Sequence, residues 1–220
     1  MDSFTLMVRA IVLLTATPVH EAAHAYVADK LGDPTARYKG RLTLNPLAHF
    51  DLIGSMALLF TGIGWAKPVP VNPINFDNSK RDMALTALAG PVSNLVMAAI
   101  SLIITKIILY TSGYGLIYGY GSVTGNLYMI FSIMCSINIS LAIFNLIPVP
   151  PLDGSRIFNY FLSDKYYFKI MEYERYVIPG MFLLLWLGVF DLPMSFLSNL
   201  IYTALDKRTF FVDAFFHLVM

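Results

Sequence analysis

Long apolar runs separated by short polar segments dominate this chain. Uncharged stretches of about 20 residues are long enough for a helix to cross the hydrocarbon core of a bilayer, because each helical residue advances about 1.5 Å. Mostly apolar runs of this length occupy roughly residues 4–28, 83–110 and 121–147, and the last of them has no charged residue. The pattern therefore predicts several membrane-spanning helices.

Shorter or interrupted blocks predict partial elements. The stretch LIGSMALLFTGIGW (52–65) is short and rich in glycine, which favours a re-entrant element over a full crossing. Residues 177–205 carry Asp191 and Pro193 in their middle, so they form either one crossing with a shallow return or two short helices. Between Asp33 and Asn45, alternation around a central glycine predicts a short strand or β-hairpin, with a plain connecting loop as the alternative.

Composition supports a membrane location. Of the 220 residues, 57% are hydrophobic and 13% are charged, and the mean hydropathy is +0.64. We predict one α-helical polytopic membrane domain, residues 1–220, with four to six transmembrane segments and a hairpin or re-entrant element after the first. The net charge of +1 provides no basic stripe for a nucleic acid. The single cysteine, Cys135, cannot form an internal disulfide.

Loop charges predict the orientation of the spans. Lysine and arginine concentrate between the apolar runs 4–28 and 83–110 and again after residue 155, whereas the loop TSGYGLIYGYGS (111–122) has neither. By the positive-inside rule, both charged regions are cytoplasmic and the glycine-tyrosine loop lies outside. The cationic residues are Lys30, Arg37, Lys39, Arg41, Lys67, Lys80, Arg81, Arg156, Lys165, Lys169 and Arg175.

The first apolar run ends in an unusual polar cluster, HEAAH (20–24). Residues four apart lie on nearly the same face of a helix, so His20 and His24 can offer two imidazole nitrogens to one metal ion. Glu21 lies about 100° round the helix and can lean over the same ion. The HExxH pattern is typical of metal-assisted hydrolysis, in which a carboxylate takes the proton of an attacking water. Buried ionisable residues that line a proton or ion path are the alternative.

A candidate third ligand follows the longest uncharged run. Asp153 stands in FNLIPVPPLDGSRI (144–157), where three prolines break regular helix and Gly154 permits a sharp turn. Irregular backbone at membrane depth is tolerated where it faces protein or a watery cavity, so the carboxylate can be aimed inwards. The alternative is that Asp153 caps the next helix at the cytoplasmic surface.

Three motifs occur in a fixed order on successive apolar segments: HEAAH (20–24), GPVSN (90–94) and NLIPVPPLDG (145–154). Together they resemble the site-2 protease family of intramembrane zinc metalloproteases. The resemblance spans residues 20–154, and residues 160–220 are poorly covered by it. It is a resemblance to a compact member of the family, without a PDZ or CBS domain.

The resemblance implies a role for each motif residue. It makes His20, His24 and Asp153 the zinc ligands and Glu21 the catalytic base. It also makes residues 35–46 similar to the family's membrane-associated β element, thought to hold the substrate in extended form. That role agrees with backbone chemistry, because a helical substrate hides its carbonyls in its own hydrogen bonds and must be unwound before cleavage.

Two asparagines accompany these motifs. Gly90 and Asn94 lie one helical turn apart, so a small residue permits close helix approach beside a polar side chain. Asn145 is similarly placed at the end of its segment. By resemblance, both asparagines stabilise the developing oxyanion or bind the substrate backbone. Plain hydrogen bonding between helices is the alternative for each.

By resemblance, the substrates are single-span membrane proteins of three types: anti-sigma factors, pro-transcription factors or remnant signal peptides. The compact form is similar to bacterial or archaeal members, which implies a prokaryotic cell membrane with the active site towards the cytoplasm. The competing hypotheses are a catalytically silent relative that binds membrane helices and an ion-coupled transporter, although no internal repeat supports the transporter. The oligomeric state is not specified. Residues 164–176 are expected to form an interfacial amphipathic helix or a linker, and His49 and His217 are read as incidental.

Overall fold

The regular structure of the described chain is helical. The computed structural model describes residues 3–61, 64–117, 122–163, 177, 179–181, 183–185 and 187–219. The α-helices in chain order are α1 (Ser3–Leu14), α2 (Ala16–Lys30), α3 (Thr35–Tyr38), α4 (Leu52–Thr61), α5 (Ser79–Ile117), α6 (Val123–Asn145), α7 (Asp153–Asn159), α8 (Asp191–Arg208) and α9 (Phe210–Val219). Single turns of 3-10 helix occupy Pro46–Ala48 and Pro73–Asn75.

The first apolar run is divided between two helices. α1 ends at Leu14 and α2 begins at Ala16, with Thr15 between them. The cause is Pro18, which has no N–H to donate to the carbonyl of Leu14 and whose ring crowds that carbonyl. The Thr15 hydroxyl donates to Ile11 O at 2.6 Å, which satisfies one carbonyl near the break. The two helices together still form one candidate span, Leu6–Lys30.

Helix α5 is the centre of the bundle and packs against α2, α6 and α7. Its start is fixed by a reciprocal cap: Asn78 Oδ1 accepts from Arg81 N at 3.0 Å, and Asp82 Oδ2 accepts from Asn78 N at 3.0 Å. It runs for 39 residues, about 58 Å by helical rise, so it extends well beyond the hydrocarbon core. Pro91 lies inside it.

The chain turns sharply between α6 and α7. Helix α6 ends at Asn145, because Pro148 cannot continue the helix. Gly154 then packs directly against the end of α6: a Cβ there would stand 2.3 Å from Leu146 O. This glycine is not at a positive φ, so it provides close approach rather than the sharp turn that the sequence predicted. The close approach sets the start of α7, and hence Asp153, against the bundle.

The predicted spans are found only in part. Within the described ranges, three helical segments are long and apolar enough to cross a membrane, which leaves the predicted total of four to six unconfirmed. The segment 52–65 contains α4, which is too short to cross. The block 177–205 is not one helix, since turn residues 187–190 separate helical backbone from α8. The predicted amphipathic helix 164–176 lies outside the described residues. The three candidate spans are Leu6–Lys30, Ser79–Ser112 and Val123–Asn145.

The predicted β-hairpin at 35–46 is not confirmed. No strand is present there or elsewhere in the described part of the chain. Thr35–Tyr38 form a single helical turn instead, because Asp33 Oδ1 accepts hydrogen bonds from the backbone N–H and the hydroxyl of Thr35. The local side-chain bond thus replaces the strand pairing that the alternation suggested.

A non-helical stretch, residues 64–72, which we call the cavity segment, is held to the loops around it. Lys67 N donates to His49 O at 2.9 Å, and the Arg41 guanidinium donates to Lys67 O. Asn72 N donates to Asp33 Oδ2 at 2.7 Å. His49 is buried, and its Nε2 lies 2.8 Å from Thr43 O. This contact gives His49 a structural role in the loops, consistent with the expectation that it is not a metal ligand.

Lys106, a buried lysine within the predicted span 83–110, connects the C-terminal helices to α5. The sequence alone did not indicate this role. Lys106 Nζ lies 2.8 Å from Asp206 Oδ1 and 2.6 Å from Asp213 Oδ2. Tyr110 adds a hydrogen bond of 3.0 Å to Asp213 Oδ1. An unpaired lysine at this depth is costly, so the two carboxylates from α8 and α9 fix both helices against α5.

Asp33 generates a prediction about pH. Burial raises the pKa of this carboxyl, but the hydrogen bonds from Thr35, Asn75 and Asn72 outweigh burial and hold the pKa below its usual range. A group with a lowered folded pKa stabilises the fold above its unfolded pKa of about 3.9, and that contribution disappears as the pH falls through the folded pKa. We expect Asp33→Asn to lower the free energy of unfolding by about 1–3 kcal/mol near neutral pH.

The difference between wild type and Asp33→Asn should narrow below about pH 4. Thermal unfolding in detergent micelles across pH 3–7 measures it. Asp77→Asn, at an exposed site, is the control and should leave the melting temperature unchanged. A constant gap down to pH 3 would contradict the role given to the ionised carboxylate.

Candidate metal centre

Three side chains from two distant parts of the chain meet at one point. His20 and His24 lie on successive turns of α2, and Asp153 is the first residue of α7. The two Nε2 atoms lie 3.0 Å apart, and Asp153 Oδ2 lies 3.2 Å from the Nε2 of His20 and 3.3 Å from the Nε2 of His24. The structure therefore brings together the three ligands that the motifs predict.

The second nitrogen of each ring is also engaged. His24 Nδ1 lies 2.7 Å from the backbone carbonyl of Thr86 on α5. A carbonyl only accepts, so Nδ1 of His24 carries the proton and its Nε2 lone pair is available to a metal ion. His20 Nδ1 lies 3.3 Å from Nδ2 of Asn94, which is also on α5. Helix α5 thus orients both rings.

Close contact between α2 and α5 depends on Gly90. A Cβ at this position would lie 2.4 Å from His24 Nε2 and 2.5 Å from His20 Cε1. Both separations are far below van der Waals contact, so no other side chain fits without displacing the imidazoles. The glycine of GPVSN therefore provides the space that the two rings occupy.

Glu21 lies beside the three side chains rather than among them. It is buried, and its Oε2 accepts a hydrogen bond of 3.1 Å from the backbone N–H of Val69 in the cavity segment. Pro68 and Pro70 flank this donor and favour extended backbone, which presents Val69 N to the carboxylate. The carboxylate thus keeps a free oxygen, Oε1, for which no hydrogen bond is found among the described residues.

The cluster opens onto a cavity of 560 Å³. Most of its wall is apolar and comes from α1, α4, the cavity segment and the 177–185 region, with Leu13, Leu58, Trp65 and Met181 as examples. Arg156 stands exposed at the wall, one turn after the carboxylate of α7. The cavity has the size and apolar lining of a site for an apolar substrate segment.

Both asparagines lie at the cavity wall, but their contacts differ. Asn94 is 1% exposed and contacts His20, whereas Asn145 donates to Leu141 O of its own helix at 3.0 Å. Sequence reasoning missed Thr86 and Val69, because both act through backbone atoms that every residue carries. The order of motifs gave no signal for either.

The donor set fits a zinc ion. Tetrahedral zinc with bonds of about 2.0–2.1 Å holds its ligand atoms about 3.3–3.4 Å apart, close to the three separations in the cluster. Asp153 Oδ2 is buried and has no hydrogen-bond partner among the described residues, although it lies near two imidazole nitrogens. A buried carboxylate oxygen without a donor is costly, and a bound cation removes that cost.

Comparison with known proteins identifies the family of this chain. The sequence profile of peptidase family M50 matches residues 112–188. The "Putative zinc metalloprotease YwhC" of Bacillus subtilis is 40% identical over 166 residues, which cover 76% of this chain and 74% of that protein. No solved structure gives a significant match.

More distant relatives carry similar names. The "Putative zinc metalloprotease Rip2" of Mycolicibacterium smegmatis is 28% identical over 141 residues, which cover 62% of this chain and 50% of that protein. The zinc metalloprotease MJ0392 of Methanocaldococcus jannaschii is 26% identical over 157 residues, or 71% of this chain and 34% of that protein. With its apolar spans and its His-His-Asp cluster, the chain belongs to peptidase family M50, the site-2 protease family of membrane zinc metalloproteases.

Proposed function

We propose that this protein is an intramembrane zinc endopeptidase that cleaves a peptide bond within a transmembrane segment of another membrane protein. The observation that carries the proposal is the triangle of His20 Nε2, His24 Nε2 and Asp153 Oδ2 beside an apolar cavity that Glu21 also lines. His20, His24 and Asp153 would hold the zinc ion. Zinc supplies a bound water of lowered pKa and polarises the peptide carbonyl.

Glu21 acts as the catalytic base in this proposal. Its carboxylate takes a proton from the attacking water and returns it to the leaving amine nitrogen. The N–H of Val69 bonds one carboxylate oxygen and so fixes the rotamer that keeps the other available. Asn145, at the cavity wall, is a candidate donor to the substrate backbone or the developing oxyanion.

The substrate would enter as extended chain. Its helical carbonyls are hydrogen-bonded and cannot be attacked until the helix unwinds. The cavity segment supplies non-helical backbone next to Glu21 and lines the cavity. Residues 35–46 form no strand and do not line the cavity, so the cavity segment is the better candidate to align an extended substrate. The apolar wall suits the side chains of a transmembrane segment. Single-span proteins of the anti-sigma factor, pro-transcription factor or remnant signal peptide type remain the proposed substrates.

The site is proposed to face the cytoplasm of a prokaryotic cell. His24 lies about 9 Å by helical rise from Lys30, which ends α2 at the charged boundary. Arg156, from the second cationic region, stands at the cavity wall. Lys30 and Arg156 belong to the two cationic regions that the positive-inside rule assigns to the cytoplasm, so water and substrate would reach the site from that side.

The first test is Glu21→Gln. The amide keeps the shape of the side chain but cannot take a proton, so cleavage should fall by at least about 100-fold while zinc content stays unchanged. The assay reconstitutes purified protein in liposomes with a panel of tagged single-span proteins and identifies new fragments by mass spectrometry. Asp77→Asn, exposed and outside the cavity wall, is the control. Equal fragment yields from wild type and Glu21→Gln would refute the proposal.

The second test concerns Asp153. Replacement by Asn removes the negative oxygen donor and little else, so we expect zinc affinity and activity to be lost while the bundle stays folded. Zinc content per chain after purification, with thermal unfolding alongside, measures both. His20→Ala provides a second variant and should behave alike. Unchanged zinc content in Asp153→Asn would remove this residue from the site.

The third test uses the contact between helices. Gly90→Ala places a methyl group where the two imidazoles lie, so the rings must move and zinc affinity should fall by at least about 10-fold. Gly180→Ala is the matched control, because a Cβ there meets no atom within 4 Å. Zinc titration of both variants, monitored by competition with a chromophoric chelator, decides the matter. Equal affinity in the two variants would show that α2 and α5 are not fixed as described.

A further inference from the structure

Asn94 contacts the far side of a proposed zinc ligand. Its Nδ2 lies 3.3 Å from Nδ1 of His20, the ring nitrogen that does not face Asp153. The side chain is 1% exposed, and its Oδ1 is buried without a hydrogen-bond partner among the described residues. A buried amide with one unpaired end is costly and calls for an explanation.

The hydrogen-bond direction is the key to this contact. When Asn94 donates through Nδ2, His20 Nδ1 is the acceptor, and the ring proton of neutral His20 must then be on Nε2. A protonated Nε2 has no lone pair for a metal ion. When Nε2 binds a metal ion, the proton is on Nδ1 and needs an acceptor instead.

The same side chain can provide that acceptor. A half-turn of the Asn94 amide about its last torsion exchanges Nδ2 and Oδ1 in almost the same space. The unpaired oxygen then accepts from His20 Nδ1–H, as Thr86 O does from His24. The two amide orientations therefore correspond to the two tautomers of neutral His20.

We propose that Asn94 is a positioning residue for zinc: its side-chain oxygen accepts the Nδ1 proton of His20 and so selects the tautomer whose Nε2 binds the metal ion. The role differs from the oxyanion or substrate role that the motif implied. It rests on the His20–His24–Asp153 site and not on cleavage of a membrane substrate. Its test therefore needs no substrate.

The test compares side chains at position 94 by their ability to accept. Asn94→Leu has nearly the same size but no acceptor, and Asn94→Ala removes the acceptor without any steric conflict. Both should weaken zinc binding about 10–100-fold. Asn94→Asp keeps an acceptor oxygen and should restore the affinity of wild type or exceed it.

The control comes from a second buried asparagine. Asn138 on α6 is fully buried, donates to Met134 O and also has an unpaired Oδ1 among the described residues, but unlike Asn94 it does not line the cavity. Asn138→Leu removes a comparable amide and should leave zinc affinity unchanged. The comparison separates loss of the His20 contact from general loss of a buried polar group.

Two readouts are measured on each purified variant. Zinc affinity comes from chelator competition, and the absorption spectrum of the Co²⁺-substituted protein reports the ligand field at saturating metal. The Co²⁺ bands should shift in Asn94→Leu and Asn94→Ala and return in Asn94→Asp. A residue with only a packing role would leave these bands unchanged.

The outcomes are distinct. Weakened binding in Leu and Ala variants, with rescue by Asp, supports the inference. Unchanged zinc affinity in Asn94→Leu, or failure of Asp to rescue, overturns it even if the wild type binds zinc and cleaves substrate. A wild type that binds no zinc after reconstitution overturns the metal site and this inference together.

Discussion

The structure depends on the cost of burying ionisable groups at membrane depth. HEAAH places two imidazoles and a carboxylate on α2, inside an apolar span. Each group needs a polar partner, because neither lipid nor an apolar core offers one. Thr86 O serves His24, Val69 N serves Glu21, and the Asp153 carboxylate faces both imidazoles. Helix α5, the cavity segment and α7 are thus each connected to α2 by a polar contact.

These contacts require the backbones to approach closely, and two glycines permit it. Gly90 leaves room for both rings between α2 and α5, and Gly154 lets α7 begin directly against the end of α6. At neither position is the glycine at a positive φ. Their importance comes from the missing side chain, which agrees with the general enrichment of small residues where membrane helices meet.

The backbone next to the site is not the β-hairpin that the sequence after α2 predicted. The β-hairpin predicted at 35–46 is absent, because Asp33 uses its oxygens to close a helical turn and to fix Asn72 at the end of the cavity segment. The non-helical chain next to Glu21 is the cavity segment itself. Pro68 and Pro70 favour extended backbone in this segment. The sequence alone does not show that Val69 N between them will donate to the Glu21 carboxylate.

The sequence by itself determined the helical class, the three long apolar runs (4–28, 83–110 and 121–147) and the candidate ligands. Composition and run length reflect transfer to lipid, and the i, i+4 spacing of His20 and His24 is local geometry; both are properties of short segments. Tertiary structure decided which atoms orient those ligands. Thr86 and Val69 contribute backbone groups common to all residues, and the contact of Asn94 with His20 depends on how α5 packs across α2. Such contacts join residues 48 to 74 positions apart, and only the packed bundle brings them together.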